Sequence, residues 1–258
     1  MAVHEVFYEW NRLRLSHFTS GNTGWKGTCL HGISYFDQVE FFRRSWLWPD
    51  LSDVNWEELF RFFKPHRCSF LVDVIGDTIR SPRIHWKENT FSLEHLYSST
   101  VLSWQPSETS IKDLLSTSLV RVLLVETTPQ MKKFVDIYLE CFEANSTSVK
   151  LARQNMMGLK SISGWFPYLL YVEDVLVGGA AFYFCRSIAF LSSVSILPQH
   201  RNKGFHRLLI HHRIRKAQEL GASQILTYAY TSGQSHHNLQ ECGFRSLFEI
   251  STYRHNGE

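Results

Sequence analysis

A basic, glycine-containing segment stands between a predicted strand and a predicted helix, at Leu197–Leu209 (LPQHRNKGFHRLL). Pro198 ends the strand, and Arg201, Lys203 and Gly204 then lead directly into the helix. The first turn of a helix has unpaired N–H groups, and the helix dipole places about half a positive charge there. Gly204 lets the backbone approach a phosphate, and the two basic side chains add full charges. The segment therefore predicts a phosphate or pyrophosphate site; the alternative is an ordinary turn with solvated basic residues.

Hydrophobic periodicity and turn signals predict the elements that would position this segment. From residue 119 onward the order is strand, two helices, three antiparallel strands, helix, strand, helix, strand. A tight turn at Glu173-Asp174 forms a hairpin, and Gly221 ends the helix that starts at Gly204. The predicted strands are 120–126, 168–172, 175–185, 188–196, 224–230 and 244–253, and the predicted helices are 128–142, 145–157, 204–220 and 235–242. This order predicts an α/β (α+β) fold, with a mixed sheet and helices on both faces.

A smaller α/β domain is predicted to precede this one, with domains at 1–110 and 119–258. Its signals are a helix at 54–63, a strand at 69–77, a short helix at 92–97 and a strand at 100–104. The polar stretch 105–110 is the predicted boundary. The glycine-rich stretch 20–28 lacks the residue order of a P-loop and is predicted to be a surface loop.

Composition excludes several function classes. The net charge of +3 is too small to imply binding to nucleic acid or to a membrane, and no stretch approaches 18 uninterrupted apolar residues. Five scattered cysteines without a CxxC pair favour a reducing compartment, and with no secretory signal we expect a cytoplasmic location. The histidines at 200–237 lack metal-ligand spacing, so no metal is expected, and the basic run 211–216 is predicted to be a solvated helix face.

The segment and its flanking strand resemble the GNAT (N-acetyltransferase) superfamily. The family pattern is a strand ending in Val-x-Val-x-Pro, followed by [Q/R]xxGx[G/A] at the start of a helix. This chain has Val194-Ser195-Ile196-Leu197-Pro198 and then Arg201-Asn202-Lys203-Gly204-Phe205-His206, with His206 where Gly or Ala is usual. Cys242-Gly243-Phe244 resembles the short helix and "GF" strand start near the end of these domains. The resemblance covers about residues 119–253.

A narrower resemblance is to bacterial members whose N-terminal half is degenerate. These have a later GSxSxRN stretch, and Ser232-Gly233-Gln234-Ser235-His236-His237-Asn238 is similar to it, with His237 where Arg is usual. The resemblance implies a degenerate GNAT-like domain at 1–110 and an acetyl-CoA-binding domain at 119–258. It also implies a mainly antiparallel GNAT-type sheet.

The resemblance implies an N-acetyltransferase that moves an acetyl group from acetyl-CoA to an amine acceptor by direct transfer. Pantetheine would lie along the strand 188–196, and the strand from Gln224 must diverge to leave that edge free. A backbone N–H near Val194 or Ser195 would stabilise the oxyanion. The implied cofactor-binding residues are Val194, Ser195, Ile196, Arg201, Asn202, Lys203, Gly204, Phe205, His206, Ser232 and Asn238.

Catalytic residues are harder to assign, because the Tyr usual four residues before the Gly of "GF" is Leu239 here. Tyr230, Tyr228 and His237 are the candidates, with core packing as the alternative for the two tyrosines. The missing Tyr leaves open a CoA-binding sensor or regulatory module without catalysis, and longer acyl donors are a third possibility. The N-terminal half is expected to form one wall of the acceptor site.

Overall fold

The structure is a computed structural model of the 258-residue chain. It describes residues 10–11, 13, 59, 61, 69–75, 93–106, 119–142 and 146–256, and the backbone of the strands at 24–29, 32–37, 44–47, 83–86 and 89–92. Apart from Leu59 and Arg61, which are helical, the helix predicted at 54–63 lies outside these residues.

Strands and α-helices are numbered here in chain order within the described residues. The strands are β1 (Gly24–Cys29), β2 (Gly32–Asp37), β3 (Arg44–Leu47), β4 (Phe70–Ile75), β5 (Arg83–Trp86), β6 (Asn89–Ser92), β7 (Glu94–Trp104), β8 (Val120–Leu124), β9 (Trp165–Val172), β10 (Val175–Cys185), β11 (Ile188–Ile196), β12 (Gln224–Tyr230) and β13 (Phe244–His255). The helices are α1 (Thr128–Cys141), α2 (Ser146–Gly158), α3 (Phe205–Glu219) and α4 (Gln234–Glu241), with 3₁₀ turns at Leu159–Ser161 and Pro198–His200.

A sheet of 11 described strands runs in the order β1-β2-β3-β4-β13-β7-β12-β11-β10-β9-β8, and β5 and β6 form a separate hairpin. The β3–β4 and β11–β12 pairs are parallel, and the other neighbouring pairs are antiparallel. This confirms the predicted mixed, mainly antiparallel sheet.

Helices cover both faces of this sheet, as predicted. Alternate residues of β11 point to opposite faces. Phe190 packs in a core with α1 and α2, whereas its neighbours Ala189 and Leu191 pack in a core with α3 and α4. The β9–β10 turn at Glu173-Asp174 is also confirmed, and both of its residues have positive φ, at 48° and 64°.

The start of α1 shows how the sequence positions a helix. Thr127 is the N-cap and forms a capping box with Gln130, whose side-chain oxygen accepts from the Thr127 N–H at 2.9 Å. Pro129 stands in the first turn, where its missing N–H costs no hydrogen bond. Met131, Phe134 and Val135 then bury one face of the helix against the sheet.

Two sequence predictions in the N-terminal part are wrong. The helix predicted at 92–97 is mostly part of β7, because this segment pairs with β13 from Glu94 onward. The loop predicted at 20–28 contains β1 from Gly24, because the register Gly24↔Asp37 to Cys29↔Gly32 provides a complete antiparallel ladder. The pairing of β7 with the distant β13, and of β1 with the following β2, outweighs the helix or loop propensity of the local sequence.

The sheet runs across the predicted domain boundary. β7, which precedes residue 105, lies between β12 and β13, and β13 pairs on its other side with β4. The two-domain division therefore stays a prediction, with one strand of the first part completing the sheet of the second. Among the described residues, no helix is both long and apolar enough to cross a membrane.

Candidate functional site

The parallel strands β11 and β12 separate part of the way along their length. Their register runs from Ile188↔Gln224 to Leu191↔Thr227 and then stops, although β12 continues to Tyr230. Beyond this point residues 194–196 of β11 pair with β10, and no described residue of β12 pairs with them. The divergence expected from the sequence is thus present, and it leaves one edge of β11 open. We call this opening between the strands the fork.

A β-bulge lies at the fork. Ala180 pairs with Val194 and Phe182 with Leu191, so Ser192 and Ser193 both lie opposite Ala181. Side chains hydrogen-bond the carbonyl groups at this point. Thr227 Oγ1 donates to Leu191 O at 2.9 Å, and Arg213 Nη1 donates to Ala181 O at 3.1 Å and to Ser192 O at 3.2 Å.

Arg213 comes from the middle of α3 and is only 2% exposed. Its Nε also donates to Leu209 O at 3.0 Å, and burial lowers the pKa of its guanidinium to about 9. The prediction of a solvated face at 211–216 is therefore wrong for His212 and Arg213, which are both buried. Arg213 stands four residues from the buried Leu209 and Ala217, and this spacing was the signal that could have identified it.

The predicted phosphate-binding segment forms a turn that opens α3. Arg201 Nε donates to Ile196 O at 3.2 Å, which ties the turn to the end of β11. Gly204 has φ of 81°, and a Cβ at this position would meet no atom within 4 Å. Because the first helical bond runs from Leu208 N to Gly204 O, the N–H groups of residues 205–207, which precede Leu208, have no acceptor within the helix. The turn therefore presents amide donors and positive charge to open space.

His206, at the position where the sequence departs from the family pattern, connects α3 to α4. Asn238 Nδ2 donates to His206 Nδ1 at 3.2 Å, and His206 Nε2 lies 3.5 Å from Ser235 Oγ. Burial, and then the charge of Arg213, lowers the pKa of His206 to about 4. The ring is therefore neutral at pH 7, and Asn238 is brought to the same site as predicted from the sequence.

A cavity of about 720 Å³ extends from this turn through the fork. Nine of the eleven predicted cofactor-binding residues line it; Lys203 and Ser232 do not. The candidate catalytic residues Tyr228, Tyr230 and His237 also line it. Tyr228 is 42% and Tyr230 is 55% exposed, so neither is a buried core residue.

Each of the three candidate catalytic residues lies against another described side chain. Tyr228 stacks on Phe190 with ring centroids 6.0 Å apart, and Tyr230 meets Tyr97 edge-on at 4.8 Å. His237 is exposed and lies 3.4 Å from Glu241. Glu143, which follows the first predicted helix of the second half and is a further candidate for the base, lies outside the described residues.

Several cavity residues were missed by sequence reasoning. Cys141, at the end of α1, lines the cavity near Arg201, and burial raises the pKa of its thiol. Asp73, in the buried strand β4, also lines the cavity and accepts a hydrogen bond from Thr252 Oγ1 at 2.6 Å. The only sequence signal for Asp73 is a carboxylate within the apolar run FLVDVI.

Comparison with known proteins identifies related sequences and folds. Residues 131–244 match the model of the Acetyltransferase (GNAT) family. No curated protein matches the chain.

Solved structures with a similar fold cover most of the chain. A GCN5-related N-acetyltransferase from Kribbella flavida has a TM-score of 0.63 at 12% identity, covering 97% of this chain and 96% of that one. A GCN5-related N-acetyltransferase from Sphaerobacter thermophilus has a TM-score of 0.59 at 10% identity, covering 88% and 80%. A tandem GNAT protein from the clavulanic acid biosynthesis pathway has a TM-score of 0.55 at 10% identity, covering 88% and 79%.

Proposed function

We propose that the chain, whose residues 131–244 match the Acetyltransferase (GNAT) family, transfers an acetyl group from acetyl-CoA to an amine acceptor by direct transfer. The observation that carries the proposal is the fork. It leaves the β11 edge open directly beside a helix N-terminus that can bind a pyrophosphate.

Acetyl-CoA would occupy the cavity in an extended arrangement. Its pyrophosphate would bind the amides of residues 202–206 and the charge of Arg201, and its pantetheine would pair with the backbone of Val194 and Ile196. Ser195, Phe205, His206 and Asn238 would line its path. Lys203 stays a predicted positive charge near the pyrophosphate, and Ser232 stays a predicted contact to the distal part of the cofactor; neither lines the cavity.

In the reaction the amine nitrogen attacks the thioester carbonyl carbon, the C–S bond breaks, and the amine loses a proton while the CoA thiolate gains one. A backbone N–H near Val194 or Ser195 would stabilise the oxyanion. An alkyl ammonium is only about one part in 10³ neutral near pH 7.4, so a base or a water relay is needed. Tyr228 and Tyr230 are our candidates for the proton donor, and His237 for the group that relays the amine proton. The scattered cysteines without a CxxC pair support our proposal of a cytoplasmic location.

The N-terminal part would supply one wall of the acceptor site. β4 and β7 belong to it, and Asp73, Tyr97 and Ser99 on these strands line the cavity. We propose that residues 1–110 are a degenerate GNAT-like domain, and the likeness to a tandem GNAT protein supports this.

A second candidate function is acyl-CoA sensing without turnover. It is favoured by Leu239, which is 3% exposed and stands where a catalytic Tyr is usual. The absence of a carboxylate from β11 favours it also. The two functions differ in one observable, because a sensor binds acetyl-CoA without consuming it when amines are supplied.

The first test is a binding titration with acetyl-CoA and CoA, comparing the wild type with Gly204→Glu and Gly204→Asn. Glu would place a negative charge where we propose the pyrophosphate, whereas Asn tolerates the positive φ of this position without adding charge. We expect micromolar binding by the wild type, a change of only a few fold in Gly204→Asn, and a loss of at least about tenfold in Gly204→Glu. Equal binding by the two variants, or no binding by the wild type, would show that the cofactor site is misassigned.

A further inference from the structure

The fork places two tyrosines across from the proposed position of the thioester. The register of β11 and β12 ends at Leu191↔Thr227, so Tyr228 and Tyr230 are the first and third residues of β12 beyond the fork. On β11 the bulge adds one residue, and Val194 therefore lies about two residue spacings beyond Leu191. This puts Val194 level with the residue between the two tyrosines. A thioester beside Val194 would face the part of β12 that carries both rings.

Both tyrosine side chains lie on the face of the sheet that α1 and α2 cover. They alternate along β12 with Ala229, whose side chain packs in the core with α3 and α4. Tyr228 stacks on Phe190, which packs in the core with α1 and α2. The first turn of α3, where we propose the pyrophosphate, belongs to the opposite face. An acceptor in contact with these tyrosines would thus reach the thioester from the side opposite the cofactor.

A third exposed aromatic ring stands at the end of α1. Phe142 is the C-cap of this helix and packs on Tyr138, with ring centroids 4.5 Å apart. Both residues line the cavity. The preceding residue, Cys141, lies near Arg201 and Ser195, so the end of α1 borders the fork from the β11 side. The rings of α1 and those of β12 therefore flank the same opening.

The exposed apolar residues differ in type between the cavity and the rest of the surface. Among the described residues, the exposed aromatic side chains are Phe142, Tyr228 and Tyr230, at 54%, 42% and 55%, and all three line the cavity. The exposed large aliphatic side chains, such as Leu247, lie outside it. Several exposed apolar side chains at one opening mark a binding surface. Here that surface is aromatic.

The lining around these rings is largely apolar. Met156 of α2 and Leu159 of the turn after it are buried and line the cavity, as does Trp10. Asp73 also lines it, but this carboxylate is 4% exposed and accepts the hydrogen bond from Thr252. Aromatic side chains bind other rings edge-to-face or offset, with ring centroids about 4.5–7 Å apart. The surface beside the fork therefore suits a planar apolar group.

We propose that the acceptor is an arylalkylamine: its amine is acetylated at the fork while its aromatic ring packs among Phe142, Tyr228 and Tyr230. This inference rests on the proposed acetyltransferase function. Because Val194 is level with the two tyrosines, the linker between ring and amine is short, on the order of one to three carbon atoms. One N–C bond forms, the thioester C–S bond breaks, the amine loses a proton, CoA leaves as the thiol, and the ring is unchanged.

The test compares phenethylamine, its cyclohexyl analogue and ethylamine as acceptors of the acetyl group from acetyl-CoA. The quantity measured is kcat/KM per neutral amine, which removes differences in amine pKa. We expect phenethylamine to exceed ethylamine by at least about tenfold, because its ring is removed from water. It should exceed the cyclohexyl analogue by roughly threefold or more, because contacts between aromatic rings add to the burial of apolar area.

Phe142→Ala removes the ring at the end of α1. It should lower the phenethylamine-to-ethylamine ratio by at least about threefold, mainly through KM for phenethylamine. CoA affinity of this variant reports whether it is folded. Leu247→Ala is the matched control, because it removes an exposed apolar side chain outside the cavity and should keep the ratio.

Two substitutions of Tyr230 separate its ring from its hydroxyl group. Tyr230→Phe keeps the ring and should keep the ratio, whereas Tyr230→Ser should lower it. Both acceptors are measured on the same variant, so the loss of a proton donor affects both and cancels in the ratio. The ratio therefore reports ring contact even if the hydroxyl takes part in catalysis.

The outcomes separate this inference from the proposed function. A ratio near one in the wild type would overturn the arylalkylamine inference and leave the acetyltransferase proposal standing. An unchanged ratio in both Phe142→Ala and Tyr230→Ser would do the same, as would equal rates for phenethylamine and its cyclohexyl analogue. CoA binding without acetylation of any amine would overturn both.

Discussion

Two buried histidines of α3 link the stability of the protein to pH. Burial, together with nearby positive charges, lowers the pKa values of His206 and His212 to about 4. Both rings are neutral in the folded protein at pH 7. In the unfolded chain they gain protons near pH 6.5, so the unfolded state binds more protons between pH 6.5 and 4. Stability is therefore complete above pH 6.5 and falls as the pH decreases through this window.

His212→Phe should remove part of this acid sensitivity. The His212 ring is buried edge-on against Tyr168, at 4.8 Å, and both of its nitrogens lack a hydrogen-bond partner among the described residues. Phe fills the site without a titrating group, so the pH dependence of the unfolding free energy should decrease by about one proton between pH 6.5 and 4. Urea unfolding at a series of pH values measures this. An unchanged slope in His212→Phe would mean that the ring is solvated in the folded protein.

At the residue scale, the sequence predicted the functions that depend on local chemistry. Gly204 and Arg201 could be assigned because a strand, a basic turn and a helix start follow each other in the chain. Asp73 could not be assigned to the cavity wall, since its place there depends on the pairing of β4 with the distant strand β13. Arg213 is buried despite its charge, because it lies on the buried stripe of α3.

At the element scale, the separation of β11 from β12 depends on contacts from a helix and a neighbouring strand. Thr227 hydrogen-bonds the last paired carbonyl, and Arg213 bonds the two carbonyls at the bulge. Polar groups that leave a ladder in a buried place need new partners. We expect Arg213 to position the β11 amides for catalysis, without contacting the substrates.

Arg213→Met should therefore reduce acetyl transfer by at least about tenfold, because two buried carbonyls lose their donor. Arg213→Lys should recover part of the activity, since lysine is charged but cannot donate to several carbonyls in a fixed plane. The measurements are kcat/KM and the CoA dissociation constant at a temperature well below the melting point of each variant.

Arg215→Met is the control from the same helix, because the Arg215 side chain is 50% exposed. It should keep wild-type activity. A lower melting temperature in Arg213→Met with unchanged kcat/KM would show that Arg213 contributes to packing alone.

Elements with local signals were predicted well. The capping residues of α1 and the two-residue turn between β9 and β10 both follow from neighbouring residue types. β7 was predicted as part helix and part strand, because what makes Glu94–Trp104 one strand is pairing with β12 and β13. Those partners are more than 100 residues away in the sequence, and periodicity within a short window cannot show them.

At the scale of the whole molecule, the sheet joins the two halves of the chain. β7 pairs on both sides with strands of the C-terminal half. Without it, β12 and β13 would each expose an unpaired edge in the middle of the sheet.

A fragment of residues 119–258 should therefore fail to fold, although it contains the whole family match. We expect it to aggregate and to bind CoA at least about a hundredfold more weakly than the full chain, because open strand edges associate with each other. Size-exclusion chromatography and CoA titration test this. A monomeric fragment with full CoA affinity would show that the C-terminal half is an independent domain.

The position of β13 also has a consequence for biosynthesis. β13 is inserted between β4 and β7, although more than 100 residues separate it from both strands in the sequence. A ribosome would therefore have to synthesise all of these residues after β7 before the middle of the sheet could close. Folding dominated by such distant pairs is slow. During synthesis the edges of β4 and β7 that later pair with β13 would stay unpaired. Unpaired strand edges promote aggregation, so we expect the nascent chain to bind chaperones.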